Sequence, residues 1–498
     1  MECAIAFFNF LKMNCNKKLL YLLLLVYSSA PAHSQFIKIP GYSIETGAVL
    51  SAGKQTPFWL ISNQYGLITS DKYNAWLKLG LKSDLKADSN IDYDYGLDII
   101  DRQSNFNNKL YLHQAYARVK FHFLHFQAGI IEEKFGNQDS SLSSGGLLWS
   151  GNARPMPKVS LLIPDYIPVP FTRGYLEFKG GISHGWFGDN QFVKNSMLHH
   201  KYFYVQFGGK LPVHIHYGFH HFVQWGGEST DPTVGKMPRS LSDFIKVFFA
   251  KPGGDNANKN EQLNALGNHL GSRNFGLDAE FAKIKLGIYW QTIFEDSSGL
   301  AFRNIKDGLW GIYVHTKDKD HLINGIVYEF LNTTDQSGND DSYWLLNGIK
   351  YFYPIPGGAY HWPVGNDDYF NNGIYRFGWT YHDMVIGTPF ITSPAILKVN
   401  NNASEYIWNN KVKCHHFGLE GKYRYLQYKL FATWYLNYGT NSSPFEPAIP
   451  QCSFLLQTQI VDKLPWGISA TLSVGIDHGE FFGNNAGLRL SLSKKGRF

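Results

Sequence analysis

Apolar and polar residues alternate with a period of two along much of the chain. The clearest segment runs from Trp466 to Asp477 and places on one face Ile468, Ala470, Leu472, Val474 and Ile476. Such alternation predicts a β-strand with one apolar and one polar face. The length, about ten residues, matches a tilted strand that spans a membrane better than the five or six residues typical of a soluble sheet.

The same alternation recurs elsewhere. One set of apolar positions is Leu77, Leu79, Leu81 and Leu85, and another is Ile91, Tyr93, Tyr95, Leu97 and Ile99. Residues 423–436 predict two strands around a tight reversal near Gln427. The chain ends in an alternating segment, residues 488–498, that stops on the aromatic residue Phe498. We therefore predict strands over most of the chain.

Connections between the predicted strands differ in length. Residues 208–212 and 463–467 are short and rich in Gly and Pro, whereas residues 226–239 and 353–372 are long and polar. Short turns at one rim and long loops at the other are typical of an outer-membrane barrel. Since every backbone group in a bilayer needs an internal partner, the strands are expected to close into a ring. The predicted fold is all-β, a transmembrane antiparallel barrel.

The alternative is a large secreted β-sandwich or propeller. Such a protein would bury its apolar faces between sheets and would show no systematic difference between turns and loops. The chain has no internal repeat of fixed period, which weighs against a propeller.

Two regions depart from the strand pattern. Residues 241–271 predict a small helical insertion, because Ser242 is a plausible N-cap and Pro252 follows the first apolar run. We expect this insertion to cap or plug one mouth of the barrel. Residues 140–170, rich in Ser, Gly and Pro, predict a loop folded into the lumen.

Composition and the N-terminus favour export. The chain of 498 residues is 16% aromatic and only 17% charged, and Tyr and Trp are typical of the two girdles of a membrane barrel. Lys17 and Lys18, the apolar run 19–26 and the pattern ending at Ser34 predict a signal peptide over residues 1–34. The mature barrel is then residues 35–498, exported to the outer membrane of a Gram-negative cell.

Net charge and cysteine content argue against a nucleic-acid-binding protein and against a disulfide-rich scaffold. The net charge of +6 falls to +4 without the signal peptide, and scattered Lys and Arg residues give no basis for nucleic-acid binding. Cys414 and Cys452 remain in the mature chain, either bridged or both free, which is too few for a disulfide scaffold.

Motifs for catalysis or metal binding are weak. Residues 181–185 match G-x-S-x-G by letter but are not followed by a helical pattern. His214, His216 and His220 share one face of a predicted strand, yet no carboxylate or Cys stands beside them at ligand spacing. We therefore predict no enzyme activity, catalytic residue, metal or cofactor.

Loop composition suggests carbohydrate binding instead. Sugars stack their C–H faces on aromatic rings while carboxylates and amides bind the hydroxyl groups. The candidate binding residues in the long predicted loops are Trp344, Tyr360, Trp362, Asp367, Asp368 and Tyr369. Alternatively, each of these aromatic residues belongs to the girdle at the membrane interface or packs within a loop without binding a ligand.

Several segments resemble the capsule assembly protein Wzi family, in a Bacteroidetes-like form. They span most of the mature chain and are residues 185–189, 198–201, 217–227, 328–338, 365–375, 378–381 and 387–389. The resemblance implies a barrel of about 18 strands, closed by loops, that acts as a lectin-like anchor for capsular or extracellular polysaccharide. Expected partners are that polysaccharide, outer-membrane lipid and the polysaccharide export machinery.

A porin or saccharide channel is the alternative function. It would use the same strands but would need rows of charge across a constriction. The sequence predicts a mixed lumen without such rows.

Overall fold

A computed structural model describes residues 38–105, 108–337, 353–354, 360–361, 367–397 and 406–498. The chain divides into two units, Met1–Pro40 and Gly41–Phe498. The predicted signal peptide, residues 1–34, lies entirely outside the described residues and stays a prediction.

Eighteen strands form one antiparallel sheet in the second unit. They are β1 (Gly41–Ala52), β2 (Tyr73–Lys82), β3 (Ile91–Ser104), β4 (Lys109–Phe121), β5 (Leu124–Ile130), β6 (Pro157–Pro168), β7 (Leu176–Gly188), β8 (Ser196–Phe207), β9 (Val213–Trp225), β10 (Asn268–Glu280), β11 (Ile284–Gln291), β12 (Gly308–Thr316), β13 (Gly325–Asn332), β14 (Val412–Tyr423), β15 (Leu426–Gly439), β16 (Pro444–Leu464), β17 (Ile468–Gly479) and β18 (Asn485–Arg497).

The sheet closes on itself. Each strand pairs with the next along the chain, and β1 pairs with β18 from Gly41 opposite Arg497 to Ala52 opposite Ala486. Closure leaves neither β1 nor β18 with an unpaired edge. The predicted transmembrane barrel and the count of 18 strands are confirmed.

The apolar faces of the strands point outward. Leu77, Phe203, Ile288 and Leu456 lie on the outer wall and are 41 to 53% exposed. A sandwich would bury such residues between sheets, so this wall is suited to lipid and excludes the soluble alternative.

The two rims differ as predicted. Connections at one rim, called the turn side, have two to eight residues and include residues 208–212 and 465–467. Those at the opposite rim, called the loop side, include residues 53–72, 131–156, 226–267 and 333–411. The tight reversal expected near Gln427 lies at residues 424–425.

Loops from the loop side fill the lumen with an apolar core. Helix α1 (Phe58–Ile61) lies inside, where the backbone N–H of Phe58 donates to Asp477 Oδ2 at 3.0 Å. Its neighbours in this core include Leu147, Trp149 and Trp379. The predicted inward loop is present, but residues 157–168 belong to β6, so the range 140–170 was too long. Pro157 and Pro168 mark the ends of this strand, where proline is tolerated.

Three further short helices occur among the described residues: α2 (Leu241–Phe248), α3 (Lys259–Leu263) and α4 (Ser297–Leu300). Within the ranges the structure describes, no helix has the length and apolar character needed to cross a membrane. Both α2 and α3 fall within the predicted insertion. The expectation that this insertion plugs a mouth is wrong for α2, because Phe244 packs against the outward-facing residues His199 and Trp225.

The two cysteines within the described residues, Cys414 and Cys452, are free. Cys414 is buried on the lumen side, whereas Cys452 pairs in register with Trp434, an exposed residue of the outer wall. Because they lie on opposite faces of the sheet, the bridge left open by the sequence does not form.

Candidate functional site

The structure places only part of the predicted carbohydrate site. Trp344 and Trp362 lie outside the described residues, and Tyr360 is described only as part of the backbone pairing of Tyr360–His361 with Tyr353–Pro354. Asp367, Asp368 and Tyr369 are described, and all three belong to the loop between β13 and β14.

Tyr369 lies at the centre of a buried polar network on the loop side. Its hydroxyl donates to Asp307 Oδ2 at 2.9 Å and accepts a hydrogen bond from Asn304 Nδ2 at 2.6 Å. Asp307 also accepts from the backbone N–H of Gln336 at 2.8 Å and of Asp335 at 3.0 Å. These bonds join the connection before β12 to the loop that follows β13.

Asp367 and Asp368 extend the same network. Ser337 Oγ donates to Asp367 Oδ2 at 2.8 Å, and Asn410 Nδ2 donates to Asp368 Oδ1 at 2.5 Å. The backbone N–H of Phe370 donates to Glu295 Oε1 at 2.9 Å. Two distant parts of the long loop are thereby held together.

Burial perturbs the acidic groups of this network. Burial raises the pKa of Asp307 to about 7, although the N–H groups that donate to it act in the opposite direction. Burial and then the charge of Asp296 raise the pKa of Asp367 to about 7. Burial and the charge of Asp367 raise the pKa of Glu295 well above its ordinary value. Each carboxyl therefore keeps its proton to a higher pH than an exposed carboxyl does.

The predicted stacking role of Tyr369 is not supported by its position. Its side chain is fully buried and presents no ring face to a ligand. The alternative interpretation, a role in loop packing, fits this residue. Asp367 is also buried, whereas Asp368 is partly exposed, so the remaining site residues stay predictions.

A second group of aromatic residues is accessible on the loop side. We call Phe192, Phe377 and Tyr406, which come from two different loops, the aromatic platform. The rings of Phe377 and Tyr406 stack with centroids 4.2 Å apart and planes at 15°, and Phe192 lies 5.9 Å from Phe377. All three side chains are partly exposed. Stacked, partly exposed rings are the surface that a sugar face requires.

Charged groups surround the platform. Arg376 lies with its guanidinium 4.9 Å from the Phe192 ring centroid and donates to Asp231 Oδ2 at 2.8 Å. On the other side, the Tyr406 hydroxyl donates to Asp383 Oδ1 at 2.6 Å. The platform thus combines apolar ring faces with carboxylate and guanidinium groups that can bind hydroxyls.

Local backbone geometry positions these charges. Asp383 lies at the tip of a hairpin, Thr380–Tyr381 paired with Met384–Val385, whose two turn residues have φ of 51° and 63°. Such values fit a two-residue turn of type I′. Gly378, with φ of 62°, precedes the hairpin, and a Cβ there would meet the Phe370 carbonyl oxygen at 2.1 Å.

Sequence reasoning missed the platform because its members are far apart in the chain. Phe192 lies in the connection between β7 and β8, while Phe377 and Tyr406 lie in the loop after β13. The order of the strands could have indicated the platform. Once strands are assigned, alternate connections must meet at one rim, so their aromatic residues can be grouped.

The weak motifs of the sequence lie in strands. Ser183 is inside β7 and faces the lumen, so the strand–turn–helix of a nucleophile elbow is not formed. His216 pairs with Asp278 at 2.9 Å, and His220 bonds to Tyr204 at 2.7 Å. Among the residues described, no group of three His, Cys, Asp or Glu side chains could hold a metal ion.

The lumen is blocked on the loop side and open space remains toward the turn side. Glu329 of β13 accepts hydrogen bonds from Ser143 Oγ at 2.6 Å and the Ser144 N–H at 2.7 Å, which fixes the segment 131–156 inside the barrel. Beyond this segment lies a cavity of about 550 Å³. Its polar lining includes Lys179, Asp278, Lys285, His315 and Glu420.

Comparison with known proteins gives a family and a fold. The family model described as "Capsule assembly protein Wzi" matches residues 50–344. The solved structure of Wzi, an Escherichia coli outer-membrane protein involved in group 1 capsule assembly and a carbohydrate-binding β-barrel, matches with a TM-score of 0.57 and 13% identity, over 97% of this chain and 89% of that one.

More distant matches are Pseudomonas aeruginosa OccK5 and Acinetobacter baumannii OccAB2. Both have a TM-score of 0.47, at 10% and 9% identity, and each alignment covers 93% of this chain and 99% of the other. No curated protein matches the sequence.

Proposed function

Since the chain belongs to the capsule assembly protein Wzi family, we propose that it binds capsular or extracellular polysaccharide with the loop side of its outer-membrane barrel. The binding is lectin-like and retains the polymer at the cell surface. The observation that carries this proposal is the aromatic platform, where the stacked rings of Phe377 and Tyr406 are partly exposed beside Arg376 and Asp383.

Retention of a long polymer does not require tight binding at one site. Many repeat units of one chain can bind neighbouring barrels, and each further contact becomes effectively intramolecular. The buried network of Asp307 and Tyr369 supports this role by fixing the loop that carries the platform. Trp344, Tyr360, Trp362, Asp367 and Asp368 remain proposed members of the wider site.

Two partners besides the polysaccharide are proposed. Outer-membrane lipid would surround the apolar outer wall. The export machinery would reach the turn side, where the polar cavity opens. No catalytic step is needed for retention, and we propose that the protein acts without one.

The test is polysaccharide binding by platform variants. The expected result is that Phe377→Ala and Tyr406→Ala each weaken binding by about fivefold, because one aromatic contact contributes on the order of 1 kcal/mol. Binding of polysaccharide purified from the source strain is measured on the full-length barrel in lipid nanodiscs.

Phe445→Ala is the matched control, because Phe445 is a partly exposed aromatic residue near the loop side but outside the platform. Unchanged binding in both platform variants would reject the platform as the site. Deletion of the gene tests the function itself. If polymer is still made but moves from cells to medium, anchoring holds, whereas unchanged cell-bound polymer contradicts it.

The channel alternative has less support. The segment 131–156 and helix α1 fill the loop-side half of the lumen with side chains such as Phe58 and Trp149. A channel would need these groups to leave.

A further inference from the structure

Helix α2 lies against the outer wall of the barrel, close to the loop side. The Phe244 ring packs 5.3 Å from His199 of β8 and 5.6 Å from Trp225 of β9, and the Phe248 ring packs 5.2 Å from His199. His199 lies four residues before Phe203 on the same strand, so both side chains point to the same face. Phe203 is an exposed residue of the outer wall, and His199 therefore also faces outward. One face of α2 is therefore docked on the wall.

The wall beneath this helix combines apolar and polar side chains. Val223 and Trp225 pack with the helix in an apolar cluster. The polar outward-facing side chains beside them are His184, Lys201, His221 and His269, with His199 at the centre. The His221 and His269 rings bond to each other at 2.9 Å, and Lys201 bonds to the Phe248 carbonyl and lies 4.1 Å from its ring centroid. Charged and polar side chains that face lipid are destabilising, so a cover is required here.

The same helix and its C-cap residue Phe249 carry a second apolar stripe, which is largely exposed. Leu241, Ile245 and Phe249 follow each other at intervals of four residues and are 76%, 51% and 62% exposed. Leu263 of α3 is 83% exposed. Apolar residues at this spacing form one continuous stripe along a helix.

The C-terminal end of the stripe lies against the outer wall. Phe249 lies 6.0 Å from Lys201, which is two residues farther from the loop rim than His199 on the same strand. Val247, on the other side of the helix, belongs to an apolar cluster with Ala257, Leu266 and the wall residues Val223 and Trp225. Phe249 thus lies next to the outer wall, the surface that meets the bilayer.

Neighbouring residues place the helix at the membrane interface. Trp186 points outward from the end of β7 and is 41% exposed, and outward Trp residues mark the interface in membrane barrels. Lys251 lies beside the stripe, with Nζ 5.9 Å from the Phe249 ring centroid. Apolar residues edged by Lys are typical of helices that lie in the headgroup region.

We propose that α2 is a lipid-binding element that inserts Leu241, Ile245 and Phe249 into the outer leaflet, with Lys251 on the anionic headgroups. The proposal rests on the membrane position of the barrel and goes beyond polysaccharide binding. The helix covers the polar side chains of this wall patch and presents its own apolar stripe in their place. It also holds residues 226–267, which carry the Asp231 partner of Arg376, at the membrane surface.

The test uses fluorescent labels and lipid-borne quenchers. Ile245→Cys and Phe249→Cys are made in the predicted mature chain, residues 35–498, with Cys452→Ser, so that buried Cys414 is its remaining native thiol. Each variant is labelled with an environment-sensitive dye and placed in vesicles of anionic phospholipid containing a spin-labelled lipid. Lipid quenching at both positions is expected to exceed that at Ser242→Cys, on the polar side of α2, by about twofold or more.

Leu456→Cys on the distant outer wall reports the position of the barrel itself. If the Leu456 label is quenched by lipid while the Ile245 label responds like Ser242 to aqueous iodide, α2 does not bind lipid and the proposal falls. A label at Ile245 that neither lipid nor iodide quenches means that a second copy covers the stripe, which also overturns it. Failure at Leu456 would instead contradict the membrane position.

Discussion

The carboxyl group of Asp367 lies among loop side chains that exclude water, and this raises its pKa from 3.8 to about 7. A carboxyl whose pKa is higher in the folded state binds its proton more tightly there. Its contribution to stability is therefore complete below about pH 4 and is lost as the pH rises through about 7. The Asp307 carboxyl, with a pKa raised to about 7, acts in the same direction.

Local opening of the 333–411 loop is therefore expected to increase with pH. Between about pH 4 and 7, each carboxyl can raise the equilibrium constant for opening by up to about tenfold per pH unit. Asp367→Asn keeps the shape of the side chain but removes its titratable proton. The slope of the logarithm of the opening constant against pH should therefore fall by about one. Hydrogen exchange of the loop across this range measures the slope.

Asp318→Asn, at an exposed turn-side position, is the control and should keep the original slope. An unchanged slope in Asp367→Asn would show that this carboxyl does not control loop opening.

Single residues show where sequence reasoning stops. Asp367, Asp368 and Tyr369 were selected as binding residues from their types, but burial decides what each side chain does. Tyr369 and Phe377 are both loop aromatics, yet Tyr369 donates to Asp307 in the interior while Phe377 lies on the partly exposed platform. This difference arises from contacts across more than sixty residues of sequence, which local composition does not encode.

Among the elements, the inward segment 131–156 has the most specific attachment. Glu329 accepts from Ser143, Ser144 and the Tyr289 hydroxyl, the last at 2.5 Å. If Glu329 is removed, these three donors lose their acceptor inside the barrel. Each buried polar group left without a partner lowers the free energy of unfolding by about 1–3 kcal/mol.

Glu329→Ala is accordingly expected to loosen the segment and to raise ion conductance through single barrels several-fold. Planar-bilayer recordings measure this change. Glu177→Ala, which removes a lumen carboxylate bonded to Gln206 of the neighbouring strand, is the control and should stay near the native conductance. Equal conductance in Glu329→Ala and the native barrel would show that the segment stays in place without this acceptor.

Strands were more predictable than loops for a physical reason. The alternation in β3 and β17 reflects two different solvents on the two faces of one sheet, so it is written into neighbouring residues. The course of the chain after β5 depends on which loops enter the lumen, and residues 157–168 were misassigned for that reason. Likewise, the helix α2 was predicted from its apolar spacing, although its N-cap is Ser240 and not the predicted Ser242. Its place on the outer wall depends on His199 and Trp225 of other elements.

At the scale of the whole barrel, stability depends on the seam between the first and last strands. Twelve residue pairs join β1 to β18, and the rings of Tyr42 and Phe498 lie 5.3 Å apart at its end. Without β18 the sheet would leave two long edges unpaired, which a bilayer does not tolerate.

Removal of residues 486–498 should therefore abolish the folded barrel. Electrophoresis in detergent with and without heating, together with protease resistance in membranes, measures folding. Phe498→Ala removes only the ring contact and should fold like the native chain. A truncated chain that still migrates as a compact, heat-sensitive species would contradict the need for this seam.

The position of α2 also makes the barrel unequal around its circumference. Viewed down the barrel axis, the arc from β7 to β10 carries a ridge formed by the helix, while the wall of β15 to β17 is bare. In a crowded membrane, a neighbouring protein approaching the first arc meets the ridge and one approaching the second meets flat sheet. The two arcs of the wall therefore offer a neighbouring protein two different surfaces, one of them next to the loop that carries Asp231.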